Sequence, residues 1–443
     1  MPSLEQRIKD FAREQGVAVV GVAGPERLDG PPSLDPTYTM KGARSIVSLA
    51  LPMDVLAIYD FLGKKSPVSH NLDQLRTNQR VHRICRRLAE YLRSLGHRAQ
   101  EVPPNNTYRR SLDMLSLHPS FSHRFGAIAA GIGAQGWSGN IMTEEYGAAV
   151  YLGTVVTEAV LASDPALSPR YFVDNYCTKC KLCEKVCASG MFVAEEEEQV
   201  LLNGELHPRG KRRNLDLCNF SCFGLHALSR DQKWTTWGRH WIPEWIGDQQ
   251  DPARKNKVRA AALRAGSRTG DSAPRYDLIR NAGSILFPQE VLESQVPQVK
   301  DLPEDELERN AILKNLIEKN VGIRGLRDPN VLTCGQCALV CGPNLKETAD
   351  RFHLLAESGL VVPGPEGRMV RVDSYEAAVA IKKKYPQRVS RQEMRADAKA
   401  FGKLWTKLYF GIEPKSILQG WLYARKLKKM VREQSCLDPK PER

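Results

Sequence analysis

Residues 177–187 read CTKCKLCEKVC, with cysteines at Cys177, Cys180, Cys183 and Cys187. The spacing is C-x2-C-x2-C-x3-C. Two-residue gaps let three thiolates reach three corners of one iron–sulfur cubane, while the fourth cysteine lies on the turn beyond and points to a second cluster. A later stretch, CGQCALVC, supplies Cys334, Cys337 and Cys341 as C-x2-C-x3-C. Zinc is the competing occupant, but zinc sites usually combine two separated pairs rather than four cysteines in one run. A single redox-active C-x-x-C fits less well still, because all four cysteines share the run.

By the crossed logic of bacterial ferredoxin spacing, one cluster takes Cys177, Cys180, Cys183 and Cys341. The second takes Cys187, Cys334, Cys337 and one cysteine of the segment LDLCNFSC, either Cys218 or Cys222. Eight ligands then serve two [4Fe-4S] cubanes, with one cysteine to spare. Ala188 and Gly342 stand where such runs usually carry proline. This changes a turn beside the cluster and leaves ligation intact.

Nine of the 11 cysteines of this 443-residue chain fall in 177–222 and 334–341; Cys85 and Cys436 stand apart. Clustered thiols in a long chain favour metal over a disulfide scaffold. Cys85 shares an apolar helical stripe with Val81, Ile84, Leu88 and Leu92, which marks it as a core thiol. No apolar run is long enough to span a bilayer, and MPSLEQRIKDFAREQG has no apolar signal core or twin-arginine pair, so a cytoplasmic location is expected. The formal charge of +13 suits a nucleic acid, an anionic membrane surface or an acidic partner, or is simply a solvated basic surface.

Helices and strands alternate up to about residue 168. Residues 4–15 and 76–95 have helical periodicity, while 17–23, 45–51 and 147–160 read as strands, which indicates an α/β domain over 1–168. The first cysteine group occupies 169–222. An interval at 223–330 resembles an insertion, with Trp234, Trp237, Trp241 and Trp245, a basic stretch, and a helix after Asp301. The second cysteine group occupies 331–350. From 351 to 443 a helical C-terminal region is expected, ending in a basic amphipathic helix beyond Pro414. That helix could contact a membrane surface peripherally or pack on its own domain.

The segment SHRFGAIAAGIGAQGWSGN contains Gly131, Gly133 and Gly136 in a G-x-G-x-x-G pattern. Residues 121–130 before it look helical, not stranded, which argues against a dinucleotide site. The order AAGIGAQGWSGNIMTEEYG, then a strand, then the two cysteine runs, resembles the cobalamin-dependent iron–sulfur reductases that include epoxyqueuosine reductases and reductive dehalogenases. GARSIVSLALP at 42–52 resembles their early strand. LDLCNF resembles their isolated ligand cysteine, which favours Cys218 over Cys222.

The resemblance implies a mixed α/β (α+β) fold: a nitroreductase-like cobalamin-binding domain followed by a ferredoxin-like double [4Fe-4S] domain. It implies corrinoid contacts at Gly131, Gly133, Gly136, Asn140, Thr143, Tyr146 and Gly147; the alternative is a tight helix-to-strand turn. Epoxyqueuosine reductases place a carboxylate upstream of the glycine loop, and none stands between Ser116 and Gly126 here. Tyr108, His118 and His123 are the available proton donors.

The expectation is therefore an oxidoreductase in which electrons pass through two clusters to cobalt for reductive C–X or C–O cleavage, dehalogenase-like, on a small organic substrate. An external donor such as ferredoxin or flavodoxin would feed it. Epoxyqueuosine reduction in tRNA is the alternative within enzymes, with nucleic acid as partner. A non-catalytic electron carrier or corrinoid activator is the alternative outside them.

Overall fold

The computed structural model describes residues 2–103, 119–167, 177–213, 215–222, 226–239, 241, 287–321, 334–365 and 368–386. The first helix, α1 (Leu4–Glu14), starts where the Ser3 hydroxyl accepts from the Gln6 amide. It leads into β1 (Val19–Ala23) and then β2 (Ser45–Pro52). The helices α2 (Val55–Leu62) and α3 (Val68–Ser94) follow, then β3 (Ala99–Glu101), α4 (His123–Ala129) and the short strands β4 (Ala134–Gln135) and β5 (Ile141–Met142). The long strand β6 (Val150–Thr157) closes this part of the chain.

The main sheet has the order β1-β2-β6-β3, and every neighbouring pair is antiparallel. Alternating helices and strands therefore do not produce a parallel sheet here. β2 is buried along almost its whole length, and its period of two sorts its side chains between two helical layers. Val47, Leu49 and Leu51 join Ile8 of α1 and Val81, Ile84, Leu88 and Leu92 of α3. Ile46 and Ala50 join Phe121, Ala127 and Ile128 around α4. Each such buried side chain stabilises the fold by about 1.5–3 kcal/mol. α3 lies close on β6 because residue 153 is glycine: a Cβ there would stand 2.6 Å from both the Cys85 sulfur and Val81. Cys85 is thus a core thiol, its pKa pushed up to about 12 by burial.

Residues 287–321, read from sequence as part of an insertion, are built into this core. Phe287, Val291, Leu292, Leu313, Leu316 and Ile317 pack on Val68, Leu72 and Leu75 of α3. Arg309, only 3% exposed, locks the arrangement by bonding the Asp60 carboxylate at 2.8 Å and the Ser69 hydroxyl at 2.7 Å.

Between the cysteine segments runs a hairpin with no counterpart in the sequence reading, β7 (Phe192–Leu202) and β8 (Glu205–Arg212). Its turn is Asn203–Gly204, at φ 53° and 77°, the left-handed pair that suits a two-residue hairpin loop. Leu360–Pro363 (β9) and Met369–Val372 (β10) form a further antiparallel pair. The expectation of a helical region from 351 is corrected at this point: the β-branched, fully buried run after Gly359 forms a strand instead. Helices Leu345–Ala356 and Tyr375–Lys384 flank that pair. The expected basic C-terminal helix, Trp245, Cys436 and the basic stretch after Asp251 lie outside the described residues. Among the described residues no helix is long and apolar enough to cross a membrane.

Candidate iron–sulfur site

The first cysteine run is coiled tightly. Lys179 and Lys181 both adopt left-handed backbone conformations, at φ 52° and 58°, and a short helix, α5 (Leu182–Lys185), begins immediately after. In the second run Gly335 takes the same conformation, at φ 58°, before the single turn α6 (Gln336–Leu339). The hairpin braces the first run from outside, with Lys179 paired to Glu197 at 2.7 Å and Lys181 to Glu195.

Cysteines from distant segments meet in two sets. The thiols that act electrostatically on Cys183 include Cys341, Cys177 and Cys180, and those acting on Cys341 include Cys177 and Cys180. The neighbours of Cys334 are Cys222, Cys337 and Cys187; those of Cys218 are Cys222, Cys337 and Cys187. One set is thus Cys177, Cys180, Cys183 and Cys341. The other is Cys187, Cys334, Cys337 and the pair Cys218 and Cys222, whose sulfurs lie 3.8 Å apart. Cys337 also lies within electrostatic reach of the first set, so the two sets adjoin.

Among the described residues the cysteines form no disulfide. Burial raises the pKa of Cys177, Cys183, Cys187, Cys334, Cys337 and Cys341, and neighbouring thiolates add to the rise in each. In Cys218 the hydrogen bond with Cys222 is the leading cause. Without a cation these groups stay neutral thiols; held together as thiolates they would need a cation to offset their mutual repulsion. Cys180 is exposed and Cys183 is 7% exposed, so the first set opens to solvent at one corner. A pocket lined by Trp137, Cys177, Cys180, Cys183 and Cys341 lies there. Among the described residues no three His, Cys, Asp or Glu side chains close on a single metal ion. The all-thiol donor set, drawn from three segments in two groups, fits iron–sulfur clusters.

The glycine-rich loop sits between the two sets. The Trp137 amide donates to Cys177 Sγ at 3.2 Å, and the Asn140 side-chain amide donates to Cys337 Sγ at 3.3 Å. The Ala148 amide donates to the Cys341 carbonyl at 3.0 Å, and Met142 Sδ touches Cys341 Sγ at 3.7 Å. Gly147, at φ 59°, lets the second cysteine segment approach: a Cβ there would stand 2.3 Å from the Gly342 carbonyl carbon.

The other expected cofactor contacts pack within the loop and against its neighbours. The space beside Gly131 is filled by the Pro165 carbonyl, beside Gly133 by Ile141 and Met142, and beside Gly136 by the Met142 side chain. Thr143 is closed on Gly147 by hydrogen bonds through its amide and its hydroxyl. Tyr146 bonds Glu145, which raises its phenol pKa. Residues 132–143 are buried by protein alone. Of these seven residues, Asn140 and Gly147 contact the second cysteine segment, and the others pack within the loop and against its neighbours.

Of the expected proton donors, Tyr108 and His118 lie outside the described residues. His123 is buried, with Nδ1 2.8 Å from the Thr154 hydroxyl and Nε2 3.2 Å from the Pro103 carbonyl. The carbonyl can only accept, so Nε2 carries the proton and Nδ1 accepts from Thr154. Burial lowers its pKa to about 4, and the ring stays neutral near pH 7. Both nitrogens are engaged inside the fold. Trp137 and Met142, which touch the cysteines, were not singled out from the sequence, although both stand in the loop that drew notice.

No protein-family model matches the chain. An epoxyqueuosine reductase of Synechococcus sp. (strain RCC307) is 27% identical over 298 residues, covering 59% of this chain and 89% of the relative. An epoxyqueuosine reductase of Gloeobacter violaceus is 25% identical over 211 residues, covering 42% of this chain and 60% of the relative. Among solved structures, a catabolic reductive dehalogenase aligns with a TM-score of 0.36 at 14% identity, over 58% of this chain and 35% of its own. The chain is thus similar in sequence to epoxyqueuosine reductases, a likeness that marks it as an oxidoreductase.

Proposed function

We propose that the chain is a reductase of the epoxyqueuosine reductase kind, in which two [4Fe-4S] clusters pass electrons singly inward for cleavage of a C–O bond. The observation that carries this reading is the sorting of cysteines from distant segments into two adjoining all-thiol sets. Cys177, Cys180, Cys183 and Cys341 would hold the first cluster. Cys187, Cys334, Cys337 and Cys218 would hold the second. The exposed edge at Cys180 is the entry point for an external one-electron donor such as a ferredoxin or flavodoxin. A corrinoid, implied by the resemblance, would supply the cobalt at which the electrons are used. The path derived from this chain's own residues ends at the second cluster.

The relatives favour epoxide reduction over the dehalogenase-like chemistry first expected from the sequence, since both bear the name epoxyqueuosine reductase. Removing an epoxide oxygen as water takes two electrons and two protons, which suits two one-electron carriers in series. The charge of +13 suits a tRNA partner through its phosphates. One observation keeps dehalogenation as the second reading: the absence of a carboxylate between Ser116 and Gly126, where the epoxide enzymes place their acid. Anaerobic protein with a strong one-electron reductant would be given an epoxyqueuosine-containing tRNA stem loop and, separately, a haloaromatic compound. Conversion of the epoxide to the alkene is expected. Halide release with an untouched epoxide would overturn the reading in favour of the second, and turnover of neither would leave a carrier.

A further inference from the structure

Cys177, Cys180, Cys183 and Cys341 line one recess together with Trp137, Leu345 and Thr348. This is the end of the site that faces a donor, since Cys180 is exposed. Trp137 is 5% exposed, and each of its polar atoms is engaged. Its amide donates to Cys177 Sγ at 3.2 Å, and its carbonyl accepts from the Gly210 amide at 2.8 Å. Its indole Nε1–H donates to the Glu184 carboxylate at 3.0 Å. The Lys181 ammonium lies 5.0 Å from the ring centroid and is itself paired with Glu195.

The surroundings are shaped to the ring. β8 carries glycine at 210, where a Cβ would stand 2.6 Å from Nε1 and 2.8 Å from Cε2 of the indole. On the other side Lys181 takes a left-handed backbone, at φ 58°, which is unfavourable for a residue with a side chain. That bend starts α5, which brings Cys183 and Glu184 to the indole's side of the run. A buried indole with its N–H satisfied is a rigid apolar wall. A reduced cluster carries one more negative charge than an oxidised one, and water stabilises that charge. Solvent exposure is accordingly one of the levers that set cluster potentials, beside hydrogen bonds to the sulfurs.

We propose that Trp137 is a positioning residue whose indole keeps water off the first cluster beside Cys177 and so holds its reduction potential low. The inference deepens the two-cluster reading and rests on it. A low potential at the donor-facing cluster lets an accepted electron move on to the second instead of staying where it entered. In that transfer the first cluster loses one electron and the second gains it. No bond forms or breaks and no proton moves. The electron comes from an external low-potential donor of the iron–sulfur or flavin class. Trp137 contributes through two separable parts. The backbone amide on Cys177 is one that any residue but proline would supply, whereas the indole is specific to this side chain.

The test is a redox titration of the anaerobic holoprotein followed by electron paramagnetic resonance, with the first cluster's signal identified as the one altered in Cys180→Ser. Trp137→Ala keeps the amide and removes the ring. The reduction equilibrium of the first cluster is expected to rise about tenfold, about 59 mV for a one-electron couple, with the second unchanged. Deuterium coupling at the first cluster, read by pulsed resonance in heavy water, should increase in the same variant. Trp137→Phe, which keeps an apolar ring but not the bond to Glu184, should restore most of the difference. The rise should persist when measured against a Lys181→Gln background, because the released ammonium is not its cause. Unchanged potentials, equal shifts of both clusters, or a rise abolished by Lys181→Gln would overturn the proposal. So would loss of four irons in anaerobic Trp137→Ala, which would make the indole structural. Wild-type protein without iron and sulfide would instead sink the two-cluster reading itself, so the two failures are distinguishable.

Discussion

Substituting Gly147 tests the role assigned to the glycine-rich loop. Its φ of 59° places any other residue in the left-handed region, which costs roughly 1–2 kcal/mol. An added Cβ would also stand 2.3 Å from the Gly342 carbonyl carbon and 2.6 Å from the Cys341 carbonyl oxygen, both backbone atoms that cannot rotate away. Relieving that overlap must shift the second cysteine segment and costs a further 1–3 kcal/mol or so. Gly147→Ala is therefore expected to destabilise by about 2–5 kcal/mol and to lower the iron content, since Cys341 moves with Gly342. Gly204→Ala is the matched control. It has φ 77° but nothing within 4 Å of the added carbon, so only the backbone cost of roughly 1–2 kcal/mol applies. Urea titration and iron analysis of both variants, prepared anaerobically, are the assay. Equal destabilisation with full iron in both would refute the claim that this glycine seats the cysteine segment.

Cys218→Ser is expected to lose the second cluster's iron while Cys222→Ser keeps it; the reverse pattern in iron analysis would exchange the ligand and the spare. His123→Phe strands the Thr154 hydroxyl and the Pro103 carbonyl in the core, and should cost about 1–3 kcal/mol in urea melts without altering the pH profile of turnover. Burial raises the Asp73 pKa to about 7 from an ordinary value near 3.8, against the opposing hydrogen bonds from Asp54 and Thr77. The folded state then holds a proton that the unfolded chain releases. The stabilisation is complete below pH 3.8 and is lost as pH rises through about 7, by at most about 4 kcal/mol. His70, lowered to about 4 by burial, acts oppositely, its contribution present above pH 6.5 and lost as pH falls through about 4. Asp73→Asn should therefore flatten the decline between pH 4 and 7 relative to wild type; an unchanged slope in denaturant titrations across that range would contradict the assignment.

Much of the cysteine chemistry was legible because ligand spacing is local: a two-residue gap can be counted in the sequence. Which cysteines share a cluster is a tertiary matter, which spacing alone does not determine. The choice between Cys218 and Cys222 stayed open because both sit on one helix, Leu215–Cys222, one turn apart. The strands 19–23, 45–52 and 150–157 were legible from their β-branched apolar runs. The hairpin at 192–212 was not, although Asn203–Gly204 is a strong turn signal. The four glutamates at 195–198 break the apolar alternation, and they serve instead as ion-pair partners on the exposed face.

The glycine loop shows a different limit. Sequence tells that Gly131, Gly133, Gly136 and Gly147 need room, but not what fills it. The fold fills it with Pro165, Ile141, Met142 and Gly342, none of which could be read from the loop's own residues.

Metal and sulfide analysis of protein purified without oxygen addresses the central point most directly. Two four-iron clusters, about eight irons and eight sulfides per chain, are expected, with a pair of interacting paramagnets on reduction. Zinc in place of iron, or thiols joined as disulfides with no acid-labile sulfide, would contradict it.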